Sequence, residues 1–393
     1  MTGLADLAGV GVDRRGGFTR HGFSGVDLEL RQWFAEEARR RGLDVETDRN
    51  GNMWAWWGPP GESAVVTGSH LDSVPGGGAF DGPLGVVAAL QAVDLLQGRG
   101  FTPVKPFAVV VFVEEEGGRF GSGCLGSRLL TGALDADAAR RLTDPDGVSL
   151  AEAARAAGVD PTRLGRDGDA LRRIGVFVEL HVEQGRGLVD LGAPVGVASS
   201  ILAHGRWRFR FTGEGNHAGA TLMGDRRDPM LAAAATVLAA RRAAVDNTRA
   251  TIGRLIPTPG GTNVIPSRVD LWLDARAHDT RRTRDLVAAI AEAAGRAAAD
   301  EGCAVEVTEE YYGDPVTFDA GLRDRLVDTL GGVPVLPTGA GHDAGVLAAH
   351  VPTAMLFVRN PTGVSHAPEE FAEEADCAEG ARALADVLAE LAR

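Results

Sequence analysis

Gly68-Ser69-His70-Leu71-Asp72-Ser73-Val74-Pro75-Gly76-Gly77-Gly78-Ala79-Phe80-Asp81-Gly82 follows directly on the apolar run Ala64-Val65-Val66-Thr67. A short run rich in β-branched residues reads as a buried strand, and the glycines mark where it gives way to a loop. An imidazole and two carboxylates at the end of such a strand stand where an open α/β sheet builds its sites.

The surrounding pattern supports such a sheet. Upstream, Leu28–Arg41 carries Leu28, Leu30, Trp33, Phe34 and Ala38 on one helical face and stops at Gly42. Asp44–Thr47 and Met53–Trp57, either side of Asn50-Gly51, read as a hairpin. Downstream, a helix is expected over about Leu84–Leu96. The continuous apolar run Phe107–Val113 suits a strand buried on both faces of a parallel sheet, and Val176–Val182 is a further strand. Strands alternating with helices predict a doubly wound α/β layer with a mixed sheet and helices on both faces.

Near residue 203 the pattern changes. Arg206–Thr212 alternates polar and apolar residues, as a half-exposed strand does. Helices are expected over Pro229–Ala244 and Arg281–Ala299, with strands at Thr251–Ile256, Val269–Ala275 and Ala304–Glu309. That order resembles a small α+β sandwich. From about Pro315 the α/β pattern resumes, with a strand at Thr353–Val358 and a closing helix at Glu370–Leu391. The expected organisation is a discontinuous main domain, 1–202 with 314–393, and an inserted domain, 203–313.

The length of 393 residues exceeds what one compact core usually serves. A net charge of -14 argues against a nucleic-acid partner, and means an anionic substrate needs a locally placed Arg. Cys124, Cys303 and Cys377 are widely spaced and form no CxxC pair, as expected for reduced thiols in the cytoplasm. No stretch approaches the ~20 apolar residues of a membrane span, and no signal peptide is apparent. A soluble, cytoplasmic protein is expected.

Four further polar clusters follow apolar runs: Glu114-Glu115-Glu116-Gly117-Gly118, Glu179-Leu180-His181-Val182-Glu183-Gln184-Gly185, Gly341-His342-Asp343-Ala344 and Ser365-His366-Ala367. A sheet gathers its strand ends, so these residues can converge. Histidines and carboxylates offered together form a ligand set for a borderline metal. Taken singly each has an ordinary reading: a histidine at a strand end hydrogen-bonds, and a run of glutamates is a solvated face. Three glutamates that end an apolar strand and precede Gly-Gly are oddly placed for solubility, however. Spacing alone does not tell Glu114, Glu115 and Glu116 apart.

Nearly the whole chain resembles the M20 family of metal-dependent amidohydrolases and peptidases, and within it the carbamoylases. The resemblance rests on GSHLDSVPGGGAFDG (68–82), EEEGGRFGSGCLGSR (114–128), VELHVEQG (178–185), GNHAGATLM (215–223), RRDPM (226–230), GAGHDA (339–344) and GVSHAPEE (363–370). It implies two divalent ions, zinc or manganese first and cobalt or nickel as alternatives. His70 and His181 would bind one, Glu116 and His366 the other, and Asp81 would bridge them. Asp72 would hold the tautomer of His70, with His342 a further supporting residue. Glu115 would be the general base that takes a proton from the attacking water and returns it to the leaving nitrogen. In peptidase branches a carboxylate usually stands where His181 is, which favours the carbamoylases.

The inserted domain resembles the family's lid or dimerisation domain. There His217 would stabilise the oxyanion across a homodimer interface, Asn263 would add a polar contact, and Arg276 would grip a substrate carboxylate. Gln184 would contact substrate from the main domain. The reaction implied is hydrolysis of the ureido group of a small carboxylate, such as allantoate or an N-carbamoyl-L-amino acid, with release of ammonia and carbon dioxide. An aminoacylase or dipeptidase cleaving an ordinary amide is the alternative, and a non-catalytic binding module is a third reading.

Overall fold

The computed structural model describes residues 2–393. The chain divides into two compact units, Met1–Ser200 with Thr317–Arg393, and Ile201–Val316. In its first leg the larger unit forms β1 (Asp44–Thr47), β2 (Met53–Trp57), β3 (Ala64–His70), β4 (Phe107–Phe112), β5 (Ile174–Val182) and β6 (Val195–Ile201). The smaller unit carries β7 (Ala203–Thr212), β8 (Asn216–His217), β9 (Arg249–Thr258), β10 (Val264–Ile265), β11 (Arg268–Ala277) and β12 (Ala304–Gly313). The chain returns through β13 (Val316–Thr317), β14 (Val335–Thr338) and β15 (Thr353–Val358).

The larger sheet runs β1-β2-β4-β3-β5-β15-β6-β13, with β14 beside β6. Its centre, β4-β3-β5-β15, is parallel, and the pairs β1-β2, β2-β4 and β15-β6 are antiparallel. The central strands are apolar on both sides because both faces are covered. Val65, Val109, Val178 and Leu356 pack with the helices Pro83–Gly98 and Glu374–Leu391 in one large cluster. The alternate residues Val66, Ala108, Phe177 and Phe357 are buried as well.

Register brings the polar clusters to one end. His70, the last residue of β3, pairs with Phe112, the last of β4, so Glu114–Glu116 begin beside it. His181 pairs with Phe357 near the ends of β5 and β15. Parallel strands therefore deliver their following loops to a common edge. Gly82 closes the first loop at φ +82°, and Pro83 opens the next helix. A Cβ on Gly82 would lie 2.4 Å from the His70 ring, so this position requires glycine twice over.

The smaller unit is a four-stranded antiparallel sheet, β12-β7-β11-β9. Trp207, Phe209 and Phe211 alternate inward along β7 and meet Leu271, Leu273 and the helices Pro229–Ala243 and Thr280–Asp300. A separate ribbon of β8 and β10 pairs His217 with Val264.

Two expectations need correction. The last helix starts at Glu374, not Glu370, because residues 370–373 remain in the preceding loop, where the Glu370 carboxylate has other partners. Between β4 and β5 lie short helices, including Leu125–Thr131 and Leu150–Ala156, where no element was expected. Their apolar faces, through Leu125, Leu129, Leu150 and Ala154, share a cluster with Val113.

Candidate metal centre

Asp81 is the hub of the larger unit's polar end. Its Oδ1 stands 3.5 Å from His70 Nε2 and 3.2 Å from His181 Nε2. Its Oδ2 stands 3.3 Å from His366 Nε2, which is 3.3 Å from Glu116 Oε2. The chain thus assembles two groups with ligand spacing, His70–Asp81–His181 and Asp81–Glu116–His366, sharing one carboxylate.

The histidine tautomers follow from the backbone. His70 Nδ1 faces the Asp72 carbonyl at 3.0 Å, and His181 Nδ1 faces the Val182 carbonyl at 2.9 Å. A carbonyl can only accept, so each Nδ1 carries a proton, and in the neutral ring each Nε2 keeps its lone pair toward Asp81. Both Nε2 atoms, and Glu116 Oε1, are buried without a hydrogen-bond partner among the described residues. Burial and the neighbouring Asp81 push the Glu116 carboxyl up to about 7. Burial pushes the Glu115 carboxyl well above its usual range against the pull of His70, with Asp343 and Glu116 adding to the rise. Orphaned imidazole nitrogens among crowded, desolvated carboxylates are the donor set that divalent cations take. The residues fit such ions.

The three consecutive glutamates part company here. Glu114, at φ +54°, turns its carboxylate back to accept the N–H groups of Gly22, Arg119 and Phe120. Glu116 joins His366. Glu115 is buried, with Oε2 3.7 Å from His70 Nε2 and Oε1 accepting from the Cys124 thiol at 3.3 Å. The role of Asp72 differs in detail from expectation. Its main-chain carbonyl, not its carboxylate, meets His70 Nδ1; the carboxylate oxygen lies 3.6 Å away. That carboxylate instead accepts the N–H groups of Glu115 and Glu116.

Gln184 also reaches this cluster, its Nε2 donating to Asp81 Oδ2 at 2.7 Å and to Ser365 Oγ at 3.2 Å. His342 is buried edge-on against His181, ring centres 4.5 Å apart, and with Glu179 and His181 forms a third group of ligand spacing. Burial and the His181 ring hold the His342 pKa well below its ordinary value. Sequence reasoning missed Cys124, Ser365 and Glu370. The last had a signal, standing four residues after His366.

In the smaller unit, His217 is exposed, and its Nδ1 accepts the N–H groups of Gly219 and Ala220 at 3.0 and 3.1 Å. The neutral ring therefore carries its proton on Nε2, where it is a donor. The Asn263 carbonyl accepts from Ala218 N–H, fixing that residue beside His217. Asp274 clamps Arg276 through Nε at 2.7 Å and Nη2 at 3.0 Å, which sets the plane of the guanidinium.

Residues 66–390 match Peptidase family M20/M25/M40. An N-carbamoyl-L-amino acid amidohydrolase of Geobacillus stearothermophilus is 39% identical across 99% of this chain and 97% of its own length. An allantoate amidohydrolase of Escherichia coli is 34% identical, covering 98% of this chain and 96% of its own. A crystal structure of an amidase of the hydantoinase/carbamoylase family from Burkholderia vietnamiensis superposes with a TM-score of 0.87 at 31% identity, covering 99% of this chain and 95% of that one.

Proposed function

This chain belongs to peptidase family M20/M25/M40, among its carbamoylases, and from that premise we propose that it hydrolyses the ureido group of a small carboxylate through a two-ion centre. One observation carries the reading. The two oxygens of Asp81 face different ligand groups, an arrangement that would suit a carboxylate shared by two ions. Paired catalytic ions sit only ~3.5–4 Å apart, a spacing one carboxylate spans. His70 and His181 would hold one ion, and Glu116 and His366 the other. When bound, such ions would supply Lewis-acid polarisation of the carbonyl and a lowered pKa for the attacking water.

Each remaining step belongs to side chains. Glu115, raised in pKa and steadied by Cys124, takes the proton of the attacking water and hands it to the departing nitrogen. His217 donates its Nε2 proton to the developing oxyanion, and Asn263 adds a polar contact. Arg276, held flat by Asp274, binds the substrate carboxylate, and Gln184 orients the ureido end. Asp72 fixes the backbone of Glu115 and Glu116, and His342 backs the His181 ring. The product carbamate collapses to ammonia and carbon dioxide.

Residues 1–202 with 314–393 are read as the catalytic domain, and 203–313 as a lid that also dimerises. Exposed Leu231 and Leu238, one above the other on the helix Pro229–Ala243, support that contact. No helix among the described residues is long and apolar enough to cross a membrane. A cytoplasmic enzyme with reduced thiols accords with three free cysteines.

The test is ammonia release from a panel of allantoate and N-carbamoyl-L-amino acids, with zinc, manganese, cobalt or nickel restored after chelation. Turnover of at least one ureido acid is expected, dependent on metal. Turnover of N-acetyl or dipeptide substrates alone would replace this reading with that of an aminoacylase or dipeptidase. Metal uptake with no turnover of any of them would leave a binding module.

A further inference from the structure

Glu370 belongs to neither ligand group, yet its carboxylate is built into the centre. It is buried, and its Oε1 accepts the main-chain N–H groups of Phe80 and Asp81, each at 2.9 Å. Its Oε2 receives the Ser365 hydroxyl at 3.0 Å, and the same hydroxyl stands 3.1 Å from Asp81 Oδ2. One side chain, 289 positions after Asp81, thereby ties the loop bearing Asp81 to the loop bearing His366. Gly78 gives an independent sign of this fit. A Cβ there would lie 2.4 Å from the Cβ and Oε1 of Glu370, so the first loop is shaped around that residue.

We propose that Glu370 is a positioning residue that aims Asp81 at both ions. The inference rests on the reading of Asp81 as their bridge. Holding the N–H of Asp81 fixes its backbone, and holding Ser365 beside Oδ2 limits rotation of its carboxylate. Together these direct Oδ1 to His70 and His181 and leave Oδ2 facing His366. Partners of this kind typically change metal affinity 10- to 100-fold when removed.

Reach, rather than charge, is what the position demands. A glutamine keeps one acceptor for both amides, and its NH2 can donate to Ser365 Oγ, whose proton then turns to Asp81. An aspartate keeps the charge but falls short by about 1.5 Å, one carbon–carbon bond, and cannot span both loops.

Binding of Zn2+, Mn2+ or Co2+ alone to the chelated full chain, by calorimetry and equilibrium dialysis, tests this. The Co2+ absorption spectrum reports ligand geometry independently of turnover. Wild type and Glu370→Gln are expected to take two ions with similar affinity and spectra. Glu370→Asp and Glu370→Ala are expected to lose 10- to 100-fold in affinity for at least one ion. If Glu370→Ala does not fold, the Gln and Asp variants decide between reach and charge. Affinity that follows charge, with the Asp variant normal and the Gln variant weak, overturns the proposal. So does wild-type binding in all three. Failure of wild type itself to bind metal would instead bring down the reading of the centre.

Discussion

The Asp72 carboxylate accepts the main-chain N–H of Glu115 at 3.1 Å and, through its other oxygen, that of Glu116 at 3.0 Å. The residue that follows His70 by two positions thus supports both the proposed base, Glu115, and the proposed ligand, Glu116, while its carbonyl orients the imidazole. Asp72→Asn tests the arrangement. An amide can accept one N–H but not the second, and leaving a buried donor unpaired costs about 1–3 kcal/mol. The variant should fold with a lower melting temperature and lose roughly tenfold or more in kcat, with KM changing much less. Wild-type kcat would show that the Glu115 loop does not depend on this carboxylate.

Gly82→Ala should be among the most damaging small substitutions in the larger unit. Its positive-φ backbone, at φ +82°, carries a penalty of roughly 1–3 kcal/mol for an L side chain. The added methyl also meets the His70 ring at 2.4 Å. Reduced metal uptake alongside reduced stability is expected, measured by dialysis and thermal unfolding. Full metal uptake would mean that the ring tolerates displacement.

Chelation should lower the melting temperature by several degrees, and readdition of a divalent ion should restore it. An ion at about 100 times its Kd contributes ~2.7 kcal/mol to the folded state. It also relieves the mutual crowding of Asp81, Glu115 and Glu116. Identical unfolding curves with and without metal would contradict a cation-holding centre.

His217→Ala should reduce kcat by about 10²–10³ while leaving metal content and folding of the larger unit unchanged. His217→Asn, which retains an N–H donor, should recover part of the loss. Equal kcat in all three proteins would remove His217 from the chemistry.

Much of the sheet was legible because its strands are long, apolar runs. Phe107–Val113 and Thr353–Val358 could hardly be anything else in a chain of this composition. The helices between β4 and β5 were not legible, since segments of five to seven residues, such as Ala136–Arg140 and Leu150–Ala156, are too short to display a helical period. At the centre, histidine and carboxylate types could be read, but the three glutamates could not be separated by spacing. The left-handed backbone at Glu114 turns its side chain away to bind three amides, and only the folded loop reveals that. Glu370 was hidden for a similar reason: two of its partners, the amides of Phe80 and Asp81, lie 290 and 289 residues away.

Glu115→Gln gives the most direct test of the central claim, that a carboxylate beside two ion-binding groups moves the proton in ureido hydrolysis. The substitution preserves size and removes the base. It is to be compared with wild type at matched metal content, by ammonia release from the best ureido acid. Two bound ions, an unchanged melting temperature and a kcat lowered by about a hundred- to ten-thousandfold are expected. Near-normal ammonia release from the metal-loaded variant would contradict the account.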